Sequence, residues 1–143
     1  MKRDELSAHL DAGAKRVFIS RNAKDTIDRY VIPGINESSI KSSDQIISTT
    51  SSTTQVLALM VKMLDESFGL NRGMMTTVHA YTADQSLADA AGVDLRRSRS
   101  AVENIIPNTT LAPSIVESLM PQFSGKLDGI AFNVPVPNGS CVD

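Results

Sequence analysis

A chain of 143 residues with 41% apolar side chains can furnish one ordinary core, or pieces of two. Its 14 basic and 16 acidic residues nearly cancel, and no basic run, aromatic–basic interleaving or zinc spacing occurs, which argues against nucleic acid as a partner. No stretch is long and apolar enough to span a bilayer, the N-terminus lacks a signal-peptide core, and Cys141 stands alone without a disulfide partner; cytoplasm is the expected compartment.

Lys2 to Ala12 places Leu6, His9 and Leu10 at helical spacing before Gly13, which predicts a helix with His9 half buried. Arg16 to Ser20 reads as a buried strand, and Arg21 to Arg29 as a polar loop. Tyr30-Val31-Ile32 is a strand interrupted by Pro33-Gly34, whose missing donor consigns it to an edge or a bulge. After a polar loop from Ser38 to Asp44, Gln45 to Thr49 forms a strand that runs into Ser48-Thr49-Thr50-Ser51-Ser52-Thr53-Thr54.

That hydroxyl run lies where a helix, Thr53 to Ser67, should begin. Hydroxyls accept hydrogen bonds from the first-turn N–H groups, and those groups with the helix dipole also attract anions. A capped helix with solvated serines is the plain reading of such a run. The helix carries Val56, Leu57, Leu59, Met60, Val61, Met63, Leu64 and Phe68, apolar nearly all round, so burial on most sides is expected before Gly69 ends it.

Gly73 to Tyr81 predicts a strand with Met75, Thr77, His79 and Tyr81 on one face. A lone strand histidine is ordinarily structural; His79 gains chemical interest where its strand borders the helix mouth. Thr82 to Ser100 lacks apolar periodicity and holds Arg96-Arg97-Ser98-Arg99, either a solvated basic turn or an anion pocket, because a guanidinium fork grips phosphate bidentately. Val102 to Ile106 is an apolar segment stopped by Pro107, and Asn108-Thr109-Thr110 caps a helix from Leu111 to Met120. Leu127 to Val136 is a strand with Ile130, Phe132, Val134 and Val136 as its apolar face and Ala131 and Asn133 opposite. Pro137-Asn138-Gly139 turns into a last strand, where Cys141 is expected as buried apolar filler. This order of elements makes the fold α/β.

Ile46 to Thr54, Met75 to Thr82, Asp94 to Arg99, Ile105 to Thr110 and Val134 to Asn138 together resemble, in order and spacing, the glyceraldehyde-3-phosphate dehydrogenase family. Several motifs in register across essentially the whole chain make the resemblance specific. It implies that residues 1–51 are the C-terminal part of a Rossmann-type dinucleotide-binding domain. Residues 52–143 would then be an incomplete catalytic domain of mixed, largely antiparallel sheet backed by helices. The implied reaction is NAD- or NADP-dependent oxidation of an aldehyde phosphate in glucose metabolism. A cysteine attacks the aldehyde, hydride passes to the nicotinamide, and inorganic phosphate releases the acyl group. By position, His79 matches the catalytic base and Thr82 the substrate-phosphate site. Ser51, Thr53, Arg97 and Thr110 match the inorganic-phosphate site, which is expected to persist. Ser20 falls where the family's backbone approaches the nicotinamide. Thr82 to Glu103 resembles a loop reaching toward a neighbouring subunit, which implies a homo- or hetero-oligomer.

Departures from the family pattern concern the chemistry itself. Ser52 stands at the nucleophilic cysteine's position, Asn133 where an arginine holds the substrate phosphate, and Leu111 where glycine is usual. The Gly-rich phosphate-binding turn and the family's C-terminal segment are absent. A thiol ionises near pH ~8.5, whereas an alcohol needs a base to take its proton during attack. Turnover by this chain is therefore expected to be impaired or lost. Two alternatives stand beside this: a non-catalytic homologue that binds an intact family member, and a Ser52–His79 hydrolase. The latter lacks an identifiable acidic orienter and a Gly-x-Ser-x-Gly elbow.

Overall fold

The computed structural model describes residues 1–143. The first helix, α1 (Arg3–Asp11), is closed at its start by Lys2 N–H donating to Glu5 Oε2 at 2.7 Å. Leu6 is its one buried residue and packs with Ile19, Ile27 and Ile46. His9, expected half buried, is exposed, because so narrow a seam of α1 turns inward.

Three short strands follow: β1 (Val17–Ile19), β2 (Arg29–Tyr30) and β3 (Ile46–Ser48). They form a parallel sheet in the order β1-β3-β2, with β2 at one edge; β2 ends at Tyr30, so Pro33 lies beyond it in a turn. Asp28 ties the sheet to α1. Its Oδ2 accepts the N–H groups of Gln45 and Ile46 at 2.8 and 2.9 Å, and its Oδ1 pairs with Arg3 at 2.8 Å. The Ile46 N–H and the Arg3 guanidinium hold this carboxyl below its ordinary value.

After β3 the backbone makes one strained turn. Thr50 is fully buried and is the only non-glycine residue with a positive φ, +65. A β-branched residue rarely adopts this conformation. It is held by Thr50 N–H donating to Ser48 Oγ at 2.9 Å, while the Ser48 hydroxyl donates to the Arg21 carbonyl at 2.7 Å. The turn feeds α2 (Ser52–Phe68), whose N-cap Ser51 accepts the Thr54 N–H through Oγ at 3.2 Å.

Burial of α2 on most sides, expected from its composition, does not occur. Thr54, Leu57, Ala58 and Val61 are buried, while Val56, Leu59, Met63, Leu64 and Phe68 are exposed. Packing reaches α2 from one side only, where α3 (Ala112–Leu119) and the second sheet lie.

That sheet orders β5 (Ile106–Asn108), β6 (Leu127–Val134), β4 (Gly73–Ala80) and β7 (Ser140–Val142) as β5-β6-β4-β7. The outer ladders are antiparallel, and the long central one, β4 with β6, is parallel. Its helical face carries the main core: Ile32, Leu57, Ala58, Val61, Met75, Ala112, Val116, Met120 and Phe123. No helix is long and apolar enough to cross a membrane.

Four further expectations are corrected by the structure. Pro107 does not stop the segment before it but lies inside β5, an edge strand, where one side has no ladder to donate to. Leu111, not the Asn108-Thr109-Thr110 run, occupies the N-cap of α3, although Thr110 Oγ1 accepts the Ala112 N–H at 3.2 Å. In β6 the faces are reversed: Ala131 and Asn133 are buried, and Ile130 is 40% exposed. Small residues face the helices because the approach is close. A Cβ on Gly129 would stand 3.0 Å from Met75 Cε and 3.1 Å from Pro113 Cγ. Cys141, expected as buried filler, is exposed on β7, the other edge strand.

Candidate functional site

β4 and β6 end together, with Ala80 beside Val134, next to the start of α2. The turn between β5 and α3 closes the same hollow, a cavity of about 670 Å³. Ser51 and Thr53 enter it from the mouth of α2, Thr77 and His79 from β4, and Asn133 from β6. Asn108, Thr110 and Leu111 also line it.

The strand alternation that put Thr77 and His79 on one face brings His79 against the helix mouth. Its Nε2 lies 2.7 Å from Thr77 Oγ1 and 3.1 Å from Thr53 Oγ1. One ring nitrogen thus sits between a buried hydroxyl and one at the cavity wall, where it can hold or accept a proton. Ser52, the first residue of α2, is exposed; its side chain does not line the cavity and makes no hydrogen bond to His79.

Two other expected residues are engaged elsewhere. The Arg97 guanidinium donates to Asp84 Oδ2 at 2.6 Å, and the Thr82 hydroxyl donates to Asp84 Oδ1. The Thr82 hydroxyl and then the Arg97 guanidinium hold the Asp84 carboxyl below its ordinary value. Thr82 still borders the cavity; Arg97 does not. The segment around them closes on itself through Ala90 N–H to Ser98 O at 3.0 Å and Ala101 N–H to Ser86 O at 2.9 Å. Leu87, Val93 and Leu95 remain exposed on it.

Asn133 is buried, with Oδ1 accepting from Asn108 Nδ2 at 3.2 Å and Nδ2 donating to the Ala80 carbonyl at 3.0 Å. No lysine, arginine, aspartate or glutamate lines the cavity, and no group of three potential metal ligands exists in the chain.

Ser20 lies apart, exposed after β1, on a separate hollow of about 240 Å³ shared with Leu6 and His9. From the same loop, Asn22 reaches the His79 cavity instead, with its Oδ1 buried and without a hydrogen-bond partner. Sequence reasoning missed Asn22, because the loop is tied there by tertiary bonds such as that from Ser48 Oγ to Arg21 O. Residues 1–51 contain two glycines, Gly13 at the end of α1 and Gly34 after Pro33; neither opens a helix behind a strand. These residues therefore form no pyrophosphate cradle of the Rossmann kind.

A mixed sheet backed by helices, with a histidine at the mouth of a hydroxyl-capped helix, defines the class: an α/β fold with a polar cavity where the central strands end. Residues 51–143 match the family model described as glyceraldehyde 3-phosphate dehydrogenase, C-terminal domain. Glyceraldehyde-3-phosphate dehydrogenase of Mycobacterium tuberculosis is 50% identical over 139 residues, covering 97% of this chain and 41% of that protein. The Streptomyces coelicolor enzyme of the same name is 48% identical over 143 residues, covering 99% of this chain and 42% of that protein. Chloroplastic glyceraldehyde-3-phosphate dehydrogenase A of Scenedesmus vacuolatus is 51% identical over 138 residues, covering 96% and 44%. The chain belongs to the glyceraldehyde-3-phosphate dehydrogenase family. It spans about two fifths of the length of these relatives.

Proposed function

We propose that the chain keeps the aldehyde-binding site of its family but does not sustain the dehydrogenase reaction by itself. The observation behind this is the pairing at the helix mouth. His79 Nε2 bonds to Thr53 and Thr77, while Ser52, at the nucleophile's position, is exposed and unbonded to it. A hydroxyl becomes a nucleophile only with a base within hydrogen-bond reach, and an ester would in any case be a poorer acyl donor than a thioester. Removal of a nucleophile in a hydrolase reference case costs roughly 10⁴-fold or more in rate. No observation favours the hydrolase alternative, since Ser52 and His79 share no hydrogen bond.

In this reading residues 1–51 are the C-terminal part of a dinucleotide-binding domain, and residues 52–143 belong to the catalytic domain. NAD or NADP is the family's cofactor, but the chain's own residues do not supply the pyrophosphate turn, and Ser20 does not reach the cavity. Ser51, Thr53 and Thr110, with the free N–H groups at the start of α2, make the inorganic-phosphate end. Thr82 and Arg97 join an anion only when Asp84 releases them. The exposed free thiol of Cys141 suits the reducing cytoplasm.

Purified chain supplied with glyceraldehyde 3-phosphate, NAD and phosphate is expected to yield no NADH by absorbance. NADH production that disappears in Ser52→Ala would overturn the reading. A second reading, docking onto an intact relative, is favoured by the exposed Leu87, Val93 and Leu95 of the 82–103 loop. Co-elution with an intact relative, lost in Val93→Asp, is its expected result in size-exclusion chromatography.

A further inference from the structure

We propose that the Asn133 end of the cavity selects a short aldehyde whose far end is a neutral hydroxyl rather than a phosphate ester. The proposal rests on the aldehyde-site reading above and names the substrate class within it. Asn133 is 7% exposed and fixed by two bonds, from Asn108 Nδ2 and to the Ala80 carbonyl. An amide has two donors and two acceptor sites, so one N–H and one lone pair remain for a ligand. A hydroxyl matches both, because it donates and accepts. A phosphate dianion matches only the N–H and meets the amide oxygen with like polarity.

Charge leads to the same choice. Moving a dianion from water against buried neutral amides is unfavourable unless a cation or several donors replace its hydration. No lysine or arginine lines the cavity: Arg97 is held by Asp84 outside its wall. The Thr82 hydroxyl, at the cavity border, is already given to the same carboxylate, so the donors left on the wall are neutral hydroxyls and amides. Leu111 adds apolar surface to the wall rather than a donor. What attracts anions lies at the other end, where α2 presents its first-turn N–H groups beside Ser51 and Thr53. The cavity is thus polar in two different ways, with His79 between them.

The test is an NMR titration of the full-length ¹⁵N-labelled chain with D-glyceraldehyde and, separately, with D-glyceraldehyde 3-phosphate. Both are run in phosphate buffer, so that the α2 end is already supplied with an anion. D-Glyceraldehyde is expected to move the side-chain amide signals of Asn133 and Asn108 and to bind there about tenfold or more tightly than the ester. Asn133→Arg should reverse the preference. Asp84→Asn, on an exposed loop and harmless to the core, should narrow it by freeing Thr82 and Arg97. Tighter binding of the ester at the Asn133 signals overturns the proposal. Movement of His79 without Asn133 overturns it too, and leaves the aldehyde-site reading standing. Silence of both residues with both compounds overturns the proposal and that reading together.

Discussion

Asp28 accepts two backbone N–H groups of the strand beside it and pairs with Arg3 across 25 positions of chain. These bonds require the ionised carboxylate. Because the folded-state value is lowered from 3.8, the stability Asp28 contributes is fully present above about that pH. It is lost as the pH falls through the still lower folded value. Asp28→Ala is expected to lower stability by about 2 kcal/mol at neutral pH, and the difference from wild type should shrink below pH ~3.8, both read from urea midpoints. Asp28 was read only as part of a polar loop, since its partners are set by strand pairing. His79 and Thr53 were legible, because period-two alternation and a cap signal each survive folding. Asp84's hold on Arg97 was not, because a basic turn does not announce which carboxylate will reach it.

Among the elements, α2 and β4 were predicted nearly to the residue, since Gly69 and Gly73 bracket them and their periodicities are long enough to tell apart. β6 was placed correctly and turned the wrong way. Ile130, Phe132 and Val134 looked like a core face, yet the helices come so close to Gly129 that only small side chains fit beneath them. Gly129→Ala follows from this contact. The Met75 carbonyl, 3.2 Å from the added carbon, and the Pro113 ring cannot rotate aside as Met75 Cε can. A destabilisation of about 1–3 kcal/mol is expected by thermal or urea unfolding. Pro107 was misjudged for a different reason: a proline reads as a stop unless the strand is known to be an edge, and edges are assigned by the whole sheet.

Across the molecule, stabilising burial is uneven. Nine residues form the cluster under the β5-β6-β4-β7 sheet, but only Leu6, Ile19, Ile27 and Ile46 form the one beside the first sheet. Ile32 belongs to the larger cluster and links the two regions. A four-residue cluster should open at lower free energy than the larger one. Native-state hydrogen exchange is therefore expected to show faster amide exchange in β1 and β3 than in β4 and β6. Equal protection in both sheets would mean that they open as one unit.

Cys141 faces Val78 across the β4–β7 ladder, so its side chain shares Val78's side of the sheet and not that of His79. A maleimide fluorophore coupled to this sole thiol would sit one strand away from the imidazole yet on the reverse surface. Ligand entry could then be followed by light emission, with the reporter leaving the entrance clear.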